Sequence, residues 1–148
     1  MFYTIGERAK RMGVAPSTLR YYDKAGLLPF VARSSGGVRV FQDADFEWLR
    51  VIECLKKTGM SLKNIRHFIE LSMQGDETID ERLRLIIRQK EAVQAQIDEL
   101  KQTMQTLEFK QWYYETARQA GTTSVPRSMT LDELPEEFRE VRRALRGE

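Results

Sequence analysis

From Ile79 to Ala120 neither proline nor glycine interrupts the chain, and Ile79, Leu83, Ile86, Lys90, Val93, Ile97, Leu100, Met104, Leu107, Gln111 and Tyr114 follow one another in alternating steps of four and three. This is a heptad seam sustained for about five repeats. At ~1.5 Å per residue the helix it predicts is roughly 60 Å long, far more than a small neighbouring domain can cover. An apolar stripe of that length needs a partner helix. The remaining chain offers only "LDELPEEFREVRRALRGE", which is too short to cover the seam. The expectation is therefore a homodimer, with Lys90 and Gln111 fixing the register at some cost in stability. Parallel and antiparallel pairings are both open at this point.

With 148 residues, 41% hydrophobic and 31% charged, the chain has room for one compact domain plus an appendage. No apolar run approaches the ~20 residues of a membrane span, and the start "MFYTIGERAK" lacks the build of a signal peptide, so the chain reads as cytoplasmic with no membrane partner. One cysteine, Cys54, and one histidine, His67, exclude an intrachain disulfide and a Cys/His zinc site, so neither a metal nor a cofactor is expected. The net charge of +2 hides an asymmetry: Met1 to Gly75 carries 12 Lys and Arg against 7 Asp and Glu, and the remainder is acidic. The basic half is the better face for a polyanion.

That half has its own punctuation. Thr4 and Glu7 form a capping box before Ile5, Ala9 and Met12, and the helix they start stops at Gly13. "VAPSTLRYYDKAG" restarts at once, with Pro16 suited to a first turn and Gly26 to a C-terminal cap. Two short helices on a tight turn predict a helix-turn-helix. "VARSSGGVRVF" alternates around a Ser-Ser-Gly-Gly turn and predicts a β-hairpin wing. From Asp43 to Lys57, Phe46, Leu49, Ile52 and Leu55 repeat as a buried helical face. Ser61 then caps a helix with Leu62, Ile65, Phe68 and Ile69 inward, up to a break at Gly75.

A helix-turn-helix with a wing on a dimeric coiled coil suggests a reader of double-stranded DNA with two-fold related half-sites. On the second helix Leu19 and Tyr22 fall toward the core, which leaves Ser17, Arg20, Tyr21 and Lys24 toward a groove. Arg20 can bond a guanine edge or grip a phosphate, Ser17 and Thr18 are short donors near the helix start, and the Tyr21 hydroxyl suits a phosphate oxygen. Arg39 lies in the strand leaving the wing, where it would meet a phosphate backbone. Arg33 is a weaker candidate of the same kind. Lys56 is a phosphate candidate too, although a lysine there also suits the helix dipole without DNA.

These residues carry a resemblance. "YTIGERAKRMGVAPSTLRYYDKAGLLPF", "GVRVF" and "DFEWLRVIECLKKTGMSLKNIRHFIE" closely resemble the DNA-binding domain of the MerR family of transcriptional regulators over roughly residues 2 to 70. The resemblance implies a mainly α fold: a winged helix-turn-helix domain at 1–75, an antiparallel coiled-coil dimerisation helix at 76–120 and a short, partly helical tail at 121–148. It further implies a promoter with an over-long spacer, which the dimer bends and untwists so that RNA polymerase can engage. Family contacts carry over to Arg20, Tyr21, Arg39 and Lys56.

The resemblance also sorts effectors. The metal sensors carry cysteines at the start of the dimerisation helix and in a loop after it, where this chain has none. The iron–sulfur redox sensor needs a cysteine group, and the multidrug sensors append a large domain. A further subgroup resembles this chain in lacking an effector domain and in carrying a lone cysteine within "IxC[LM][KR]", here Ile52 to Lys56, and its thiol is associated with aldehydes and other electrophiles. Arg50 and Lys57 place cations about one turn to either side of Cys54, a setting that suits a reactive thiol, and Glu53 opposes them. The competing reading makes Cys54 an inert core residue. Phe109, Trp112, Tyr113 and Tyr114 are either packing or the wall of an effector pocket, and His67 reads as solvated. No nucleophile-base pair, metal set or phosphate loop suggests an enzyme. A coiled-coil adaptor would explain the long helix but not Arg20, Tyr21 and Arg39.

Overall fold

The computed structural model describes Met1–Glu148 and is mainly helical, with two compact units, Met1–Glu91 and Ala92–Glu148. The first begins with β1 (Phe2–Tyr3) and α1 (Ile5–Met12). Thr4 starts α1 through a reciprocal capping box: Glu7 N–H donates to Thr4 Oγ1 at 3.3 Å, and Thr4 N–H donates to Glu7 Oε2 at 2.8 Å. Gly13 ends the helix at φ 70°, a left-handed conformation that favours glycine. α2 (Pro16–Lys24) follows with Pro16 in its first turn, and Leu19 and Tyr22 on its inner face are wholly buried. Burying a side chain of that size stabilises by about 1.5–3 kcal/mol, so these two residues anchor α2.

The wing consists of β2 (Ala32–Arg33) and β3 (Arg39–Gln42), joined through a turn that Ser34 and Gly37 close. β3 is the centre of a three-stranded antiparallel sheet, pairing Arg33 with Arg39 on one side and Tyr3 with Phe41 on the other. The sequence predicted only the hairpin.

Next come α3 (Asp45–Lys57) and α4 (Leu62–Gln74), the latter capped by Ser61. α3 starts two residues later than expected, because Asp43 accepts from the Tyr3 hydroxyl at 2.8 Å while the Asp45 side chain accepts from Gln42 N–H. Leu49, Ile52, Ile65 and Ile69 join Leu19, Tyr22 and Phe41 in one core. Phe46 is only half-buried, since its ring carries the guanidinium groups of Arg8 and Arg50 instead of apolar neighbours. His67 is not simply solvated. Its Nε2 lies 3.1 Å from Glu81 Oε1, linking α4 to the helix that follows.

After a 3₁₀ turn at Asp76–Thr78, α5 runs unbroken from Ile79 to Ala120. Most of its seam residues are exposed, Leu83, Leu100, Met104 and Leu107 by more than half, while Val93 is half-buried. In the second unit α6 (Ser124–Ser128) and α7 (Glu136–Arg146) return onto the other side of α5. Phe109 lies about 200° around the helix from both Leu107 and Gln111, so α7 packs Phe138 on Phe109 and Trp112 away from Leu107, and of the seam residues Gln111 borders the cleft beside Phe138. Arg142 supports that fold by donating to the Met129 carbonyl. No helix is long and apolar enough to cross a membrane.

Candidate nucleic-acid interface

α2 has two faces because its residues recur with helical spacing. Leu19 and Tyr22 point into the core, and Ser17, Arg20, Tyr21 and Lys24, at spacings of three, four and seven, are exposed together. Thr18 is half-buried between the faces. Tyr21 keeps 47% of its surface exposed, so its phenol is available to a ligand while Tyr22 is not.

α3 adds one more cation to this face. Lys56 Nζ lies 5.7 Å from the centre of the Tyr21 ring and 5.1 Å from that of Tyr22, within cation–π range. The structure thus brings Lys56 to Tyr21, a pairing with no trace in local spacing. The Tyr22 hydroxyl donates to Glu53 Oε1 on the same helix. Burial of the phenol, and then this carboxylate, push the Tyr22 pKa up, so the hydroxyl stays protonated as a donor.

The wing arginines are held within the chain. Arg39 Nε donates to Asp23 Oδ1 at 2.8 Å and its Nη1 donates to the Val31 carbonyl, with the side chain only 14% exposed. Arg33 is not merely solvated either, since it reaches the same Asp23 at 3.2 Å and donates to the Gly37 carbonyl at 2.7 Å. Asp23 therefore clamps both strands of the wing to the last turn of α2. Of the predicted set, Ser17, Arg20, Tyr21, Lys24 and Lys56 form one exposed surface. Arg39 lies beside it as a half-buried brace.

Cys54 is exposed on α3, which corrects the reading of it as a core residue: Ile52 and Leu55 take the inward positions of that turn. Arg50 does not turn toward it but lies over Phe46, 4.8 Å from the ring centre. Phe109, Trp112 and Tyr113 pack with Phe138, and beside them Gln105, Glu108, Trp112, Glu115 and Phe138 line an open cleft. No group of three or more His, Cys, Asp and Glu is placed to hold a metal ion.

A helix-turn-helix that exposes a cationic and phenolic face, flanked by a braced wing, defines a winged-helix DNA-binding transcriptional regulator. Comparison with known proteins gives its family. Residues 3–71 match the MerR HTH family regulatory proteins and residues 46–108 the associated "MerR, DNA binding" region. An uncharacterised HTH-type transcriptional regulator of Haemophilus influenzae is 44% identical over 92% of this chain and 98% of its own length. Among solved structures, HiNmlR, a MerR-family regulator lacking the sensor domain and bound to promoter DNA, is 46% identical over 84% of this chain and 99% of that one, with a TM-score of 0.72. A MerR-family regulator from Bacillus thuringiensis is 41% identical over 74% of this chain and 96% of that one, with a TM-score of 0.67. The chain belongs to the MerR family of transcriptional regulators.

Proposed function

We propose that this regulator binds promoter DNA as a homodimer, with residues 1–75 on DNA, 76–120 paired with a second copy in an antiparallel coiled coil, and 121–148 bracing the end of α5. The dimer bends and untwists an over-long spacer so that RNA polymerase engages both promoter elements. Arg20 reads a base edge. Ser17, Thr18, Tyr21, Lys24 and Lys56 hold phosphates, and Arg39 offers its Nη2 to the backbone while its other nitrogens hold the wing. Aldehydes or other electrophiles act through Cys54.

The observation that carries this reading is the shared face of Ser17, Arg20, Tyr21 and Lys24 with Lys56 beside Tyr21. The promoter-bound state of HiNmlR supports it, and so does the apolar seam of α5, which no intrachain helix covers. The decisive experiment is to let purified protein select DNA from a random pool, then to transcribe the selected promoter in vitro. Two-fold related half-sites and a dependence on spacer length are expected. Selection of no sequence overturns the reading.

A further inference from the structure

The outward residues of α2 can meet DNA only if the helix holds one rotation about its axis, because a step of one residue turns a side chain by about 100°. Leu19 packs in an apolar core, where contact is not directional and tolerates a small roll. Asp23 ties the end of α2 to the wing, and Tyr22 makes the directional contact toward α3. Its ring is wholly buried, and its hydroxyl, at the far end of a rigid arm, donates to Glu53. One turn further along α3, Lys56 lies over the rings of both Tyr22 and Tyr21.

We infer that Glu53 is a positioning residue for DNA recognition: by holding the Tyr22 hydroxyl it fixes the roll of α2 and the spacing between Tyr21 and Lys56. The inference rests on the interface proposed above. Glu53 touches no DNA in this scheme. As an acidic group near the interface it opposes a polyanion, so removing it should strengthen binding if charge alone mattered.

The test uses the full chain and compares dissociation constants for the selected operator and for an unrelated duplex of equal length. The variants are Tyr22→Phe, which keeps the ring and changes no charge, Glu53→Ala, Glu53→Gln and the double variant Tyr22→Phe/Glu53→Ala. Tyr22→Phe and Glu53→Ala are each expected to lower the operator preference about tenfold, with the double variant no worse than either, as for two ends of one bond. Glu53→Gln still presents an acceptor oxygen and is expected to retain most of the preference. A merely structural role would lower the melting temperature and leave the preference of the folded protein unchanged, which overturns the inference. Losses that multiply in the double variant overturn it as well. If Arg20→Ala abolishes the preference while Glu53→Ala leaves it intact, this inference fails and the interface stands. A wild type without any sequence preference removes both.

Discussion

Arg39 Nε donates to Asp23 Oδ1 at 2.8 Å, and Arg33 reaches the same carboxylate at 3.2 Å, so one acidic side chain at the end of α2 holds both strands of the wing. Asp23→Ala is therefore expected to weaken operator binding by roughly 1 kcal/mol, the usual order for losing a partly exposed hydrogen-bonded pair. The sign is diagnostic. Removing a carboxylate beside a polyanion would strengthen binding if Asp23 were only a surface charge. Titrations of wild type and Asp23→Ala on the same operator at two salt concentrations separate the two, and tighter binding by the variant refutes the clamp.

Arg20 and Lys56 should differ in kind. Arg20→Ala is expected to cost about 1–3 kcal/mol on the operator and to relax sequence preference at one position of each half-site. Lys56→Ala should weaken all sequences alike and reduce the slope of log affinity against log salt by about one. An Arg20→Ala protein with unchanged affinity and preference would place the recognition face elsewhere on α2.

The seam leads to a third expectation. Leu100 is 68% exposed in the single chain and lies in the middle of α5, so Leu100→Asp would put a charge into the paired core of a dimer. Sedimentation at micromolar concentration should show wild type as a dimer and the variant shifted to monomer, with helicity in the DNA-binding unit retained. Monomeric wild type would refute the proposed pairing.

The part of this structure that the sequence displayed is the part written in local periodicity. Thr4 and Glu7 are three residues apart, so the capping box is visible as a pattern, and α5 ends where expected at Ile79 and Ala120 because nothing between them breaks a helix. Contacts between distant residues leave no such trace. Asp23 and Arg39 are 16 residues apart, Tyr22 and Glu53 are 31 apart, and their elements are brought together by the packing of the core that holds Leu19, Ile52 and Ile65. β1 is two residues long, too short to show alternation, and its place in the sheet depends on β3, where Phe2 pairs with Gln42. α7 is amphipathic on its own, but that Phe138 finds Phe109 is a matter of tertiary packing.

The capping box also sets a pH dependence. Hydrogen bonds from the Thr4 backbone and side chain hold the Glu7 carboxyl below its ordinary value of 4.5. A group whose pKa is lower in the folded state stabilises the fold above the unfolded value, and that contribution is lost as pH falls through the folded value. Start-of-helix protection around Thr4 should persist at pH 5 and fade as the solution is acidified below the ordinary carboxylate range. Amide and carboxyl shifts of Thr4 and Glu7 followed by NMR check this, and Glu7→Gln should keep the helix while flattening the titration. A Glu7 that titrates at or above 4.5 contradicts the bonding seen here.

Cys54 offers the last test, because its exposure changes what an adduct would do. A buried thiol would force its neighbours apart on modification, whereas Cys54 stands outward beside the inward pair Ile52 and Leu55, and an adduct there adds volume without disturbing the core of its own chain. With formaldehyde, the sulfur adds to the carbonyl carbon and the thiol proton passes to the carbonyl oxygen, giving an S-hydroxymethyl group without any oxidant. Under the proposed scheme such an adduct alters how α3 sits in the dimer on DNA, and so the bend in the spacer. Melting temperature and operator affinity should then change little while transcription changes several-fold. The measurement is in vitro transcription from the selected promoter with wild type and Cys54→Ser, each with and without aldehyde, alongside mass spectrometry of the protein. If Cys54→Ser responds as fully as wild type, or wild type responds with its thiol unmodified, the effector does not act through Cys54.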